Sequence, residues 1–159
     1  MRGLRKYYEE IGNVVKWVID ANVAIKWIFP EVDSEIALSI LEDDQAILLV
    51  PDFFFSDVTN ILWKLIQRQS LSVKKARASL ELIKQVDFKV SDSYGLAMQA
   101  LDLSIQVQQS VYDCIYLALA ISNDCEMITA DERFINAVRQ NSNINSLCWL
   151  KDWRLQKGL

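Results

Sequence analysis

Apolar residues recur along this chain in two rhythms. The run VVKWVI at residues 14–19 is β-branched and aromatic, has the length of a buried strand, and stops at Asp20. Short runs of the same kind at 47–50, 88–90 and 127–129 predict further strands, and 146–150 an edge strand. Between them the spacing turns helical. Residues 21–29 form a short helix that Pro30 breaks, and 34–42 a second one carrying Ile36, Leu38, Ile40 and Leu41. A longer helix over 51–69 takes Pro51 in its first turn and repeats Phe54, Val58, Ile61, Leu62 and Leu65 on one face. Helices follow at 72–86, at 93–107 with Leu96, Ala100, Leu103 and Val107 in register, and at 132–139. The segment VYDCIYLALAIS at 111–122 is apolar almost all round, as a central buried helix must be.

Strands alternating with helices imply right-handed βαβ crossovers, so the expected fold class is α/β: three layers, α/β/α, around a central, mostly parallel sheet. Four glycines, two prolines and no low-complexity tract leave nothing that marks an interdomain linker in 159 residues. We therefore expect one domain over 14–150, an N-terminal extension at 1–13 and a C-terminal tail at 151–159.

Composition narrows the chemistry. No apolar run approaches the roughly 20 residues of a membrane-spanning helix. The start, with Arg2, Arg5 and Lys6 followed by Tyr7, Tyr8, Glu9 and Glu10, lacks the apolar centre of a secretory signal. Cys114, Cys125 and Cys148 are odd in number and contain no C-x-x-C pair, which argues against a disulfide framework or zinc knuckle and leads us to expect a cytoplasmic protein. Histidine is absent, which excludes Ser-His-Asp and Cys-His machinery, imidazole bases and histidine-dependent zinc sites. The net charge of -4 speaks against a broad basic nucleic-acid surface, but a cation in an acidic site would reverse the local field.

Four aspartates carry what chemistry remains. In an open parallel sheet ligands bind beyond the carboxyl ends of the strands, and Asp20 and Asp131 each follow a predicted strand, which puts them at one rim. Each has a plain alternative. Asp20 and Asp113 suit helix N-caps, and Thr129 with Glu132 has the spacing of a capping box that would place Asp131 in a first helical turn. Asp57 differs: it lies inside an aromatic-rich helix, where a carboxylate without compensation is costly. Asn60 and Lys64 follow it on the same stripe, so that stripe is a candidate site wall. Tyr112 and Tyr116 read as packing. Clustered carboxylates repel one another, and the usual remedy is a divalent cation; oxygen-only ligands select Mg2+ or Mn2+, which suits a phosphodiester substrate.

The segments VIDANVAIKWIFPE, PDFFFSDVTNILWKL, VYDCIYLALA and ITADERF, in that order over residues 14–139, resemble the signature segments of PIN domains, especially VapC-like toxins. The resemblance implies a PIN-like fold with Asp20, Asp57, Asp113 and Asp131 at the acidic positions, cleaving RNA with Mg2+ or Mn2+. It also implies a supporting role for Asn60 near the acids, a cognate antitoxin and a homodimer. Two positions depart from the family pattern. The helix acid, usually Glu, is Asp57, and the Ser or Thr usual after the first acid is Asn22, which can still hydrogen-bond a water or carboxylate.

On this reading the four aspartates hold one or two ions that activate water and stabilise the charged transition state. Lys26 and Arg133 are possible RNA contacts, whereas Trp27 and Phe29 suit core packing better than base stacking. The alternative, motivated by Asp57 and Asn22, is a catalytically weakened PIN domain that binds RNA or protein. A third reading makes Asp20 a phosphoryl-accepting nucleophile, as in receiver-type α/β proteins.

Overall fold

In the computed structural model, residues 3, 4, 7, 14–156 and 158 are described. Most of the expected N-terminal extension at 1–13 lies outside them. Five strands form among the described residues: β1 (Lys16–Ile19), β2 (Ile47–Pro51), β3 (Phe88–Ser91), β4 (Glu126–Thr129) and β5 (Leu147–Trp149). All pair in parallel in the order β3-β2-β1-β4-β5. The registers set Val18 beside Leu49 on one side and Met127 on the other, and all three are fully buried. That is why these runs read as continuous apolar stretches rather than alternating ones: both faces of the sheet are covered.

The chain steps outward from β1 to β2 to β3, then crosses back to lay β4 on the other flank of β1. The direction of strand order therefore reverses between β1 and β4, and the crevice beyond their carboxyl ends is the place where an open α/β sheet accommodates a ligand. The helices are α1 (Ala21–Ile28), α2 (Ser34–Leu41), α3 (Phe54–Gln67), α4 (Val73–Lys84), α5 (Ala97–Val107), α6 (Val111–Ser122), α7 (Glu132–Asn141) and a short α8 (Trp153–Gln156). Helix α6 buries every residue from Cys114 to Ala120 and packs on β1, β2 and β4 as well as on α5, in keeping with its nearly uniform apolar circumference.

Several element ends shift by a few residues, and two of the differences change the character of a segment. Pro51 closes β2 rather than opening a helix. It stays in register with Ser91, the ladder continues through the Asp52 N–H to the Ser91 carbonyl at 2.9 Å, and α3 starts only at Phe54. A proline at a strand end forfeits little, because the N–H of the next residue takes up the pairing. The 93–107 helix is also divided: Tyr94–Leu96 is a 3-10 turn that leads into α5. Within the segment read as a C-terminal tail, Trp153 is 2% exposed and meets Trp17 edge to face with ring centroids 6.4 Å apart. No helix of the described residues is long and apolar enough to cross a membrane.

Candidate active site

Asp20 leaves β1 at the reversal point. Its backbone N–H still donates to the Ile128 carbonyl of β4 at 3.1 Å, which locks its main chain to the neighbouring strand. It occupies the N-cap position of α1, yet its side chain makes no capping bond, so the plain capping role does not hold. Instead Asp20 Oδ2 accepts from the Thr129 hydroxyl at 2.7 Å and from Asn22 Nδ2 at 2.9 Å. Asn22 in turn accepts at Oδ1 from the Ala130 N–H, 3.0 Å away. One amide side chain thus clamps the Asp20 carboxylate to the loop after β4.

Thr129 is the hub of this network. Its hydroxyl donates to Asp20, accepts from the Asp131 N–H at 3.1 Å and stands 3.3 Å from Asn22 Nδ2. The capping box read from Thr129 and Glu132 is therefore not the one that forms. Thr129 ends β4, and Asp131 itself caps α7 by accepting from the Phe134 N–H at 3.2 Å. The hydroxyl of a strand residue three positions before Glu132 is turned toward β1, where a buried carboxylate needs a donor more than a helix end does.

The other two acids arrive on helices. Asp113 lies in the first turn of α6, whose cap is Ser110: the Ser110 hydroxyl accepts from the Asp113 N–H at 3.2 Å and donates to Asp113 Oδ2 at 2.8 Å. Asp57 lies in the first turn of α3, and its Oδ2 accepts from the Tyr116 hydroxyl at 2.9 Å. Tyr116 does pack, as expected, but it also carries this bond. The signal for it was present, because Tyr116 stands three residues after Asp113 and so shares its helix face.

Asp20, Asp57 and Asp113 all hold their protons more tightly than ordinary carboxylic acids, Asp20 to about 7 from 3.8. Burial is the largest cause in each case, ahead of charge repulsion. Repulsion nevertheless links them: Asp113 and Asp57 both act on Asp20, Asp113 acts on Asp57, and Asp131 acts on Asp113. Lys64, one of the stripe residues, works the other way on Asp57. Each of the four thus has a local structural partner, and together they share one electrostatic neighbourhood.

Among the described residues no group of three acidic or thiol side chains is placed so as to hold a metal ion by itself. One oxygen each of Asp57, Asp113 and Asp131 accepts no hydrogen bond from a described residue, since the bonds recorded engage only its twin. Carboxylate oxygens without histidine or thiolate are the donor chemistry of hard divalent cations, which keep several waters and bind through a few carboxylates plus substrate phosphate.

The remaining sequence candidates divide. Lys26 is tethered, its Nζ bonded to Glu31 Oε2 at 3.2 Å and to the Val32 carbonyl at 2.9 Å. It lines a cavity of about 420 Å³ that also includes Asn22, Ile61, Leu65 and Asp131. Arg133 is exposed in the first turn of α7. Asn60 is exposed and lines a groove between α3 and α4 with Phe55, Thr59, Trp63 and Leu80. Trp27 is core, stacked on Phe88 at 6.0 Å with its indole N–H donated to the Ala37 carbonyl.

The fold is similar to that of several solved structures, all of low sequence identity. PAE2754 from Pyrobaculum aerophilum matches with a TM-score of 0.69 at 15% identity, covering 92% of this chain and 91% of that one. VapC20 from Mycobacterium tuberculosis, a sarcin-ricin loop cleaving toxin, matches at TM-score 0.58 and 12% identity over 76% of this chain and 94% of its own. VapBC2 from Rickettsia felis, solved bound to a DNA fragment from its promoter, matches at 0.58 and 11% over 85% and 98%. No curated protein matches the sequence. The family profile of the PIN domain, however, matches residues 17–140. With that stretch holding the whole sheet but β5 and all four aspartates, the chain belongs to the PIN domain family.

Proposed function

We propose that this protein is a Mg2+- or Mn2+-dependent endoribonuclease whose metal site is made by Asp20, Asp57, Asp113 and Asp131, and that it serves as the toxin of a VapBC-type pair. The observation that carries the reading is the hydrogen-bond network that links the acids: Thr129 joins Asp20 to the Asp131 N–H beside the strand-order reversal, and Tyr116, from the helix that carries Asp113, reaches Asp57. Family membership supports it, since PIN domains are generally nucleases. The toxin role and an antitoxin partner draw support from the VapC-like folds among the structural neighbours. A homodimer and a cytoplasmic setting belong to the same proposal.

Bound among these oxygens, a divalent ion supplies electrophilic charge for a phosphodiester and its attacking water. The chain's own part is positioning. Thr129 and Asn22 hold Asp20 Oδ2 in place, and burial makes the carboxyl keep its proton more tightly than usual, so a cation would bind there in competition with a proton. Ser110 and the α6 N-terminus fix Asp113, and Asp131 is fixed by its bond to α7. Arg133 and Lys64 supply positive charge for an RNA backbone. A phosphoryl-accepting Asp20 fits less well, because its side chain is 6% exposed and already engaged.

The shorter helix acid Asp57 and the amide Asn22 where the family pattern has a hydroxyl favour one second reading, a domain that binds RNA without cleaving it. Cleavage of structured RNA with Mn2+, compared among wild type, Asp20→Asn and Asp113→Asn, separates the two. We expect each variant to lose roughly 100-fold, about 3 kcal/mol of transition-state stabilisation. Equal activity in all three would refute the assignment, and no activity in any would favour the binding module.

A further inference from the structure

We infer that Tyr116 is a positioning residue that sets the spacing between Asp57 and Asp113, and so the strength of metal binding; this rests on the metal-site reading above. Asp57 and Asp113 stand on different helices. Helix α3 packs mainly on α1 and α4, whereas α6 packs mainly on α5 and the sheet, so the two acids are ordered by largely different packing. The Tyr116 hydroxyl bridges them: it springs from α6, on the face that carries Asp113, and donates to Asp57 Oδ2 on α3 at 2.9 Å.

The bridge is stiff where it starts. Tyr116 is 1% exposed, and its ring is held edge to face by Phe53, the residue that leads into α3, with centroids 5.6 Å apart. Phe53 in turn meets Tyr112, one helical turn earlier on α6, at the same separation. A tyrosine clamped in this way has two side-chain torsions, both set by packing, so its oxygen is a fixed point. Asp57 has a short side chain, and the bond leaves Oδ1 as its only oxygen without a hydrogen bond from a described residue. Where that oxygen lies relative to Asp113 is therefore decided by Tyr116.

If Asp57 served only to satisfy a buried hydroxyl, the pair would matter for stability and nothing else. The two cases separate on metal binding by the free, full-length protein, read by Mn2+ electron paramagnetic resonance without RNA. We expect Tyr116→Phe, which keeps the ring, to weaken Mn2+ binding about tenfold, the usual scale for loss of an outer-shell partner. We expect Asp57→Glu, added to that background, to recover most of the loss because the longer acid reaches without the bridge. In cleavage assays the Tyr116→Phe defect should shrink as Mn2+ is raised, which a purely structural fault would not do. Wild-type Mn2+ affinity in folded Tyr116→Phe overturns the inference. Should that variant fail to fold, Phe53→Leu decides by the same titration, and unchanged affinity there overturns it too. Asp20→Asn serves as the reference: if it also binds Mn2+ as wild type does, the metal-site reading itself has failed.

Discussion

At the residue scale, Thr129 is the side chain on which most of the acidic network depends. One hydroxyl serves as donor to Asp20 and acceptor for the Asp131 N–H, and it is fully buried. Replacing it with the nearly isosteric valine would remove one of the two side-chain hydrogen bonds to Asp20 Oδ2 and leave the part-buried Asp131 N–H without its acceptor, at a cost of about 1–3 kcal/mol. We expect Thr129→Val to lower the urea midpoint and to reduce Mn2+-dependent cleavage by roughly 10–100-fold. Thr129→Ser, which keeps the hydroxyl, should retain activity. Cleavage by Thr129→Val at the wild-type rate would show that Asp20 needs no such support. Asn22 has a related role through Ala130, which is how an amide can stand where the resemblance led us to expect a hydroxyl.

At the element scale, α6 joins two jobs. Its apolar circumference fills the space against three strands, and its first turn delivers Asp113. The cap at Ser110 connects these tasks, because the same hydroxyl ends the helix and holds the carboxylate. Ser110→Ala should therefore destabilise the fold by about 1 kcal/mol, the ordinary worth of an N-cap. It should also weaken Mn2+ binding, because Asp113 loses the hydroxyl that holds its Oδ2. Equilibrium unfolding in urea measures the first effect and Mn2+ titration the second. A loss of stability with unchanged Mn2+ affinity would confine Ser110 to the helix. At α7 the division is different: Asp131 is both the cap and the acid.

At the scale of the whole molecule, gathering carboxylates at a buried rim sets stability against function. A carboxyl whose proton is held more tightly folded than unfolded binds more protons in the folded state, so unfolding becomes easier as pH rises through the gap between the two values. For Asp20 that gap runs from 3.8 to about 7, and Asp57 and Asp113 are shifted in the same direction. With a chelator present, we expect the protein to be most stable near the acid end of that interval and to lose on the order of 4 kcal/mol by pH 8 from Asp20 alone, at about 1.4 kcal/mol per unit. Excess Mg2+ or Mn2+ should restore much of the loss at pH 8, because a ligand of the folded state stabilises it by mass action. Asp20→Asn in chelator should flatten the pH dependence. A melting temperature that rises steadily from pH 5 to pH 8 without metal would contradict the burial of these acids.

What the sequence determined by itself was the kind and order of the elements and the strand ends that Asp20 and Asp131 follow. The buried strands at 14–19 and 127–129 and the all-round apolar helix at 111–122 are local patterns, and their period is set by backbone geometry whatever they later touch. Asp20 and Asp131 could be placed at one end because parallel strands share a direction. Pro51 was misplaced because its fixed torsion suits a strand end as well as a first helical turn, and only pairing with Ser91 decides between them. Tertiary structure alone decided the partners. Thr129 meets Asp20 across 109 residues and Tyr116 meets Asp57 across 59, while Asn60, three residues from Asp57, faces another groove. Hydrogen bonds of this kind depend on which strands become neighbours and how far each helix is rotated. No short window of residues contains either quantity, whereas the hydrophobic rhythm that builds the sheet is contained in every one.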